Sequence, residues 1–260
     1  MKIQFFKYQG TGNDFIIIDN RAGMCSDLNT EQVRFLCTRH FGIGGDGLIL
    51  LNMAAGYDFG MTYYNSNGQE STMCGNGGRC LVKFAYHLGI HKEQYHFIAI
   101  DGPHRAEIDF DGTVSLQMKD VDNIRYFHGD AVLDTGSPHY VKVTRNVADL
   151  DVFRSGKAIR NSAPFEKEGI NVNFVEQKGD DEIIVRTYER GVENETLSCG
   201  TGVTACALVC YHNENGFNDV TVRTSGGKLS VEFVRNADES FSEIWLCGPA
   251  EKVFEGDINI

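Results

Sequence analysis

Two cysteines, Cys74 and Cys199, stand in the same local sequence, Cys-Gly-Asn-Gly at 74–77 and Cys-Gly-Thr-Gly at 199–202. Each run leads into a stretch patterned as a helix, so each thiol is expected where a glycine-rich turn enters a helix. The first N–H groups of a helix have no partner within it, and the dipole there is positive. Glycine lets a ligand approach that backbone closely, so amides around Gly75-Asn76 and Gly200-Thr201 can grip a carboxylate. The same position favours a thiolate, which makes a base of the sulfur near neutral pH. A thiolate on one face of a carbon and a thiol on the other invert a stereocentre. One removes the α-proton, the other delivers a proton to the opposite face, and the roles exchange in reverse. The pair needs one proton shared over two sulfurs, because repulsion discourages two close thiolates.

The two cysteines belong to a larger repetition. Thr11-Gly12-Asn13 matches Thr135-Gly136-Ser137, Gly47-Leu48-Ile49 falls opposite Asn171-Val172-Asn173, and Tyr64-Asn65 opposite Tyr188-Glu189, at an offset of 124 residues that becomes 125 at the cysteines. Both cysteine runs continue to a Tyr-His pair, Tyr86-His87 and Tyr211-His212, and Asp101-Gly102 falls opposite Ser225-Gly226. A duplicated unit folds into two similar lobes, and a site on their approximate twofold axis receives the same residue from opposite sides. The expected lobes are 1–119 and 120–251, with Lys252–Ile260 crossing back to the first and lacking a counterpart at the end of the first copy.

Where the copies differ, they offer different groups to a ligand. Glu189-Arg190 lies opposite Asn65. Arg190 can fork onto a second, distal carboxylate, and Glu189 can hold an ammonium or tune a thiol. Asn13, Asn65 and Asn171 occupy corresponding turn positions, a polar ring suited to a zwitterion, although asparagine is also common in turns for backbone reasons. His139, in Ser137-Pro138-His139, is a neutral or charged neighbour able to shift a thiol pKa. A pair of buried cysteines, a reversible redox dithiol and a pure amino-acid-binding module are the competing readings. A redox dithiol does not explain two amide nests for an anion.

The remaining features narrow the class. The chain has 260 residues, 42% hydrophobic and 23% charged, so it can bury a sizeable core. A net charge of −12 argues against a nucleic-acid partner, which requires clustered Lys and Arg. No run approaches the roughly 18 apolar residues of a membrane span, and the Met1-Lys2-Ile3-Gln4 start lacks the apolar stretch of a signal peptide. Eight cysteines without a C-x-x-C pair, in a chain of this size, point to a reduced cytoplasm and not to disulfides or a zinc site. Cys37, Cys80, Cys206 and Cys210 read as buried small hydrophobes. Gly42-Ile43-Gly44-Gly45-Asp46-Gly47 satisfies G-x-G-x-x-G, but it follows a helix and opens a strand, the reverse of a dinucleotide site. No cofactor and no metal are expected.

The elements that must position these residues are mostly strands. Phe5–Tyr8 and Phe15–Ile18 flank the turn at 10–13. A helix runs from Thr30 to about Arg39, capped by Asn29 or Thr30. Leu48–Asn52 and Met61–Tyr64 are strands, the second ending in the Asn-Ser-Asn-Gly turn at 65–68. One site helix follows Cys74 to about Leu88, and several strands lie between Tyr95 and Met118. After a linker near Lys119–Asn123 the order repeats. Its site helix follows Cys199 to about His212, and strands lie at Val220–Thr224, Lys228–Val234 and Glu243–Leu246.

On these marks the chain resembles the diaminopimelate epimerase family over nearly its whole length. They are Gly10-Thr11-Gly12-Asn13-Asp14-Phe15, the run from Arg39 to Gly47, Tyr64-Asn65-Ser66-Asn67-Gly68, the two Cys-Gly runs, Gly136-Ser137-Pro138-His139, Ile170-Asn171-Val172 and Tyr188-Glu189-Arg190-Gly191. The resemblance implies an α/β (α+β) fold of two pseudo-symmetric lobes. Each is a curled, mostly antiparallel sheet around a central helix, with the active site in the cleft between them. It implies Cys74 and Cys199 as the catalytic acid–base pair, with His139 and Glu189 setting thiol pKa values. It places Asn13, Asn65, Asn171, Glu189 and Arg190 on the substrate, and Gly75, Asn76, Gly200 and Thr201 on the carboxylate at the reacting centre. It further implies a cytoplasmic homodimer that epimerises LL-2,6-diaminopimelate to the meso form for lysine and peptidoglycan precursors, with no cofactor. Three departures bear on specificity. Ser137 stands where many members have a substrate-binding asparagine, Gly47 stands where some have glutamine, and the segment 191–196 is one residue longer than the commonest form. A cofactor-independent racemase of another amino acid is the alternative. Proline racemase fits less well, because its first motif typically carries histidine where Asn76 stands and its second has no Glu-Arg-Gly.

Overall fold

The computed structural model describes residues 1–260, which divide into two compact units, Met1–Leu116 with Gly248–Ile260, and Gln117–Cys247. The first contains β1 (Lys2–Gly10), β2 (Asn13–Asp19), α1 (Thr30–Cys37), β3 (Gly47–Asn52), β4 (Phe59–Asn65), β5 (Glu70–Ser71), α2 (Gly75–His87), β6 (Gln94–Ala99), β7 (Gly102–Ile108) and β8 (Val114–Gln117). The second contains β9 (Arg125–Phe127), β10 (Asp130–Asp134), β11 (Pro138–Val143), a 3-10 turn at Val147–Asp149, α3 (Val152–Arg160), β12 (Asn171–Gln177), β13 (Glu182–Glu189), β14 (Asn194–Thr196), α4 (Gly200–Val209), β15 (Gly216–Thr224), β16 (Gly227–Arg235) and β17 (Phe241–Gly248). The last strand, β18 (Glu251–Asn259), belongs to the first unit and pairs antiparallel with β1.

Both units share one topology. In the first, β1/β2 is antiparallel, β2/β3 parallel, β3/β4 antiparallel, β4/β6 parallel and β6/β7/β8 antiparallel. In the second, β10/β11, β11/β12, β12/β13, β13/β15 and β15/β16/β17 repeat that sequence of directions. The expectation that the C-terminal segment lacks a counterpart is corrected here. β9, which follows the first copy, pairs antiparallel with β10 as β18 pairs with β1. Three residues are too few to show a strand period, and the segment follows directly on the linker near Lys119–Asn123.

Each sheet curls around the helix that follows its cysteine. α2 touches β1, β2, β3, β7 and β18, and α4 touches β10, β11, β12, β13, β15 and β16. α4 is apolar all round, and from Gly202 to Leu208 it is buried without a break, as a helix enclosed by strands must be. The outer face of each sheet is covered by the smaller helix. Val33, Leu36 and Cys37 of α1 lie over Ile16, Ile18, Leu48 and Leu50, and Val152 of α3 joins Tyr140, Val172, Phe174 and Tyr188. Helices on both faces explain why Phe15–Ile18 and Leu48–Leu51 are continuous apolar runs instead of alternating ones.

Helix ends differ from the sequence expectations for identifiable reasons. α1 begins at a capping box between Asn29 and Gln32 and stops at Cys37, where Ile43 N and Gly44 N bond Leu36 O and Gly45 N bonds Cys37 O. The glycine-rich loop thus closes the helix from its C-terminal end. α4 stops at Val209 because the Asn218 side chain takes the amides of His212 and Asn213 and donates to Asn213 O and Gly216 O, turning the chain away. α3 was not foreseen. It packs so closely on β13 that a β-carbon at Gly156 would lie 2.3 Å from Tyr188 Cβ. Gly156→Ala should therefore destabilise the protein by about 1–3 kcal/mol in urea unfolding, the usual cost of overpacking. An unchanged midpoint would mean the contact yields freely.

Candidate active site

In the first unit, the tight hairpin between β1 and β2 turns at Thr11 and Gly12, both in the left-handed region with φ of 51° and 84°. A β-carbon at Gly10 would lie 3.2 Å from Asn76 O and 3.3 Å from Cys80 Sγ, so the hairpin tip rests directly on the start of α2. This contact delivers Asn13 to the cysteine: Asn13 Oδ1 lies 3.7 Å from Cys74 Sγ and 3.2 Å from Asn76 Nδ2. Cys74 is the N-cap of α2 in extended backbone conformation, and its side chain makes no cap hydrogen bond. Asn65 ends β4 directly across from Gly47. A β-carbon at Gly47 would lie 2.5 Å from the Tyr63 ring and 2.6 Å from Tyr64 O, which accounts for the absence of a larger residue there.

The second unit repeats the arrangement with different side chains. Cys199 is the N-cap of α4, extended and again without a side-chain cap bond, and its sulfur lies 3.5 Å from Thr201 Oγ1. The β10–β11 turn is tied to the helix by Thr135 Oγ1, which donates to Thr201 O at 2.8 Å. His139 and Asn171 are register partners on adjacent parallel strands. Asn171 Nδ2 donates to Ser137 Oγ at 3.2 Å, and its Oδ1 accepts the Arg190 backbone N–H at 2.9 Å. The Arg190 guanidinium donates to Ser137 Oγ at 3.3 Å and Glu168 O at 3.0 Å. Ser137, Asn171 and Arg190 thus form one connected group, with Glu189 at the end of β13 beside it.

His139 is fully buried, and burial pushes its pKa down to about 3; the Arg190 charge acts in the same direction, while Asp134 opposes it. Asn173 fixes its tautomer. Thr187 Oγ1 donates to Asn173 Oδ1, so Asn173 presents Nδ2 to His139 Nδ1, and the imidazole proton sits on Nε2. His139 is therefore neutral at physiological pH, and its buried Nε2–H has no hydrogen-bond partner. The other helix cysteines are chemically silent: burial pushes Cys37, Cys80 and Cys210 up to about 12, and Cys206 well above its usual value.

Comparison with known proteins decides the family. A family model described as Diaminopimelate epimerase matches twice, over residues 5–133 and 131–253. The chain belongs to the diaminopimelate epimerase family. Among its relatives, a Diaminopimelate epimerase of Flavobacterium psychrophilum is 50% identical, with 98% of this chain and 100% of the relative covered. One of Chlorobaculum tepidum is 42% identical, covering 96% and 99%. The double match also establishes the duplication. Solved structures share the fold at low identity: a phenazine biosynthesis protein of the PhzF family from Bacillus anthracis (TM-score 0.78, 14% identity, 100% of both chains) and a hydroxyproline epimerase from Agrobacterium vitis (TM-score 0.69, 14% identity, 99% and 92%).

Several residues around the half-sites of this epimerase-family member escaped the sequence reading. Arg79 is fully buried in α2 and bonds Gly75 O, Asn76 Oδ1 and Thr11 Oγ1. Its counterpart by position, Thr204, bonds Gly200 O. Asp46 accepts from Asn13 Nδ2 at 2.6 Å. Asp14 is raised by burial, but Arg39 and Lys7 outweigh this and hold its carboxyl below the usual range. An arginine amid glycines after Cys74 was the available signal for Arg79, and Asp46 stands inside the Arg39–Gly47 run that marks the family resemblance.

The depressed His139 pKa has a defined sign. The unfolded chain binds a proton near pH 6.5 that the folded chain refuses until about pH 3, so stability is full above 6.5 and falls as the pH drops toward 3. His139→Gln should flatten the decline of the urea midpoint between pH 6.5 and 4. An unchanged slope would place the proton uptake elsewhere.

Proposed function

We infer that this chain interconverts LL-2,6-diaminopimelate and meso-diaminopimelate, serving lysine and peptidoglycan precursor synthesis. The single observation that carries the reading is the recurrence, in both units of a chain similar end to end to named diaminopimelate epimerases, of a cysteine at the N-cap of the enclosed helix.

In the proposed mechanism the two half-sites act on one molecule. First-turn amides of α2 at Gly75-Asn76 and of α4 at Gly200-Thr201 hold the carboxylate at the reacting carbon. One sulfur, as thiolate, takes the α-proton, leaving the electron pair on carbon. The other, as thiol, supplies a proton to the opposite face and becomes the thiolate. The developing negative charge is stabilised by the positive ends of the two helices and by exclusion of water from the occupied site. No electron-sink cofactor enters this scheme. Asn13, Asn65 and Asn171 surround the amino acid, Glu189 faces an ammonium, and Arg190, its backbone and guanidinium already pinned by Asn171 and Ser137, takes the distal carboxylate. Neutral His139, together with Glu189, tunes the thiols. A cytoplasmic homodimer is the proposed setting. No helix is long and apolar enough to cross a membrane, and Val253 and Phe254 on β18 present exposed apolar surface.

Cys74→Ala and Cys199→Ala should each lower epimerisation by on the order of 10²–10⁴-fold or more, the range expected for losing a general acid or base. In deuterated water the parent should introduce label at one α-carbon on inversion. Full activity in either variant, or inversion without label, would overturn the two-base reading. Arg190→Ala should raise KM for diaminopimelate by about 10–100-fold, as for a lost charge-assisted hydrogen bond. It should leave α-proton exchange of monocarboxylic amino acids little changed. Equal losses on both substrates would favour a racemase of another amino acid.

A further inference from the structure

The run from Gly42 to Gly47 ends in a carboxylate that the mechanism above does not use. Asp46 Oδ2 accepts from Asn13 Nδ2 at 2.6 Å and from Asp14 N at 3.2 Å, while Oδ1 accepts from Arg39 at 3.1 Å. An ionised carboxylate only accepts, so Asn13 must turn its NH₂ toward Asp46 and its Oδ1 the other way. The far end favours the same polarity, while the charged Asp46 decides it. Arg79 only donates, and it gives a hydrogen bond to Asn76 Oδ1 at 3.0 Å, leaving Asn76 Nδ2 to face Asn13 Oδ1 at 3.2 Å. The result is a directed chain from guanidinium to carboxylate, Arg79 to Asn76 to Asn13 to Asp46. The Cys74 sulfur meets it at the amide oxygen of Asn13, at 3.7 Å. An amide oxygen accepts an S–H and opposes the lone pairs of a thiolate.

Cys199 has a different neighbour. Its sulfur lies 3.5 Å from the Thr201 hydroxyl, which rotates and can donate to a thiolate. The repeat places Thr201 opposite Asn76, Ser137 opposite Asn13 and Ile170 opposite Asp46, so the device exists in the first copy alone. It does not work through net charge. Behind Asn13, Lys7 and Arg39 are balanced by Asp14 and Asp46. Around Cys74, Arg79 and the Cys80 thiol lie on its own helix, and Asp101, paired with His104, accepts from the neighbouring Met73 N–H.

We propose that Asp46 is a positioning residue that, through Asn13, holds Cys74 as the thiol. In the substrate-free protein the proton shared by the pair then rests on Cys74, and Cys199 is the base. The proposal rests on the reading of these cysteines as the acid–base pair. It deepens that reading by assigning which isomer the resting protein attacks directly: the one whose α-hydrogen meets Cys199.

The test is alkylation of the substrate-free, full-length protein by iodoacetamide from pH 5 to 10, with Cys74 and Cys199 quantified separately by peptide mass spectrometry. The pH midpoint of each rate curve reports thiolate formation independently of how accessible the sulfur is. The Cys199 midpoint should lie at least about one pH unit below that of Cys74. Asp46→Asn, which lets Asn13 turn its NH₂ toward the sulfur, should bring the midpoints together or reverse them. Asp46→Glu, which keeps a carboxylate, should preserve their order. A lower midpoint for Cys74 in the parent would overturn the proposal, as would an unchanged separation in folded Asp46→Asn. The parent order decides the protonation assignment even if Asp46→Asn does not fold, and Asp46→Glu then still tests the carboxylate. Failure of the acid–base reading itself would show separately, as full epimerisation surviving Cys74→Ala.

Discussion

A cysteine at the N-cap of an enclosed helix is the constraint from which the rest of this structure follows. At that position the backbone is still extended, so the side chain projects past the first turn while the helix amides point toward the same space. Serine or aspartate there would bond those amides and stabilise the helix by about 1 kcal/mol. Cysteine does not, and both lobes forgo that stabilisation at the same place. What holds each helix start instead is a strand hairpin pressed against it, through Gly10 in one unit and the Thr135 hydroxyl in the other. The hairpins are therefore both scaffold and supply line: they carry Asn13 to one sulfur, and the Ser137–Asn171–Arg190 group sits beside the turn that serves the other.

Duplication provides two such positions, and divergence between the copies makes them useful on an asymmetric molecule. The first copy surrounds its cysteine with amides locked between Arg79 and Asp46. The second sets a hydroxyl beside its own, and elsewhere carries a neutral buried imidazole and an arginine held by two side chains and a backbone carbonyl. A symmetric pair would treat both directions of proton transfer alike in the empty protein. Under the proposed function, unlike neighbours give the resting proton a preferred seat and assign Arg190 to the distal carboxylate.

Much of the fold was legible in the sequence because repetition marks the lobes and the candidate positions that a single copy hides. Both cysteines, the two lobes and the polar positions Asn13, Asn65, Asn171 and Arg190 stand out once the halves are aligned. The illegible parts have physical causes. α3 has an N-cap aspartate that receives the Arg154 N–H, but Val152 and Gly156 are its only buried residues, too few for an apolar face to show. β9 is too short to show a period. The glycines at 42, 44, 45 and 47 imitate a phosphate loop, whereas in the fold they permit close packing against α1, Arg39, Lys7 and Tyr63. Asp46 and Arg79 act through intermediates, and a residue that works by orienting an amide leaves no spacing of its own to read. His139 could be named as a modulator, but its neutrality comes from burial and its tautomer from Asn173 and Thr187, which only the fold brings around it.

The central claim is that two half-sites, one from each copy, serve a single amino acid. Isothermal titration of diaminopimelate into a slowly turning over Cys-to-Ser double variant at 74 and 199 measures this most directly. The account requires one molecule bound per chain, with the Arg190→Ala change weakening that single event. Two independent binding events per chain, or one that is indifferent to Arg190, would contradict it.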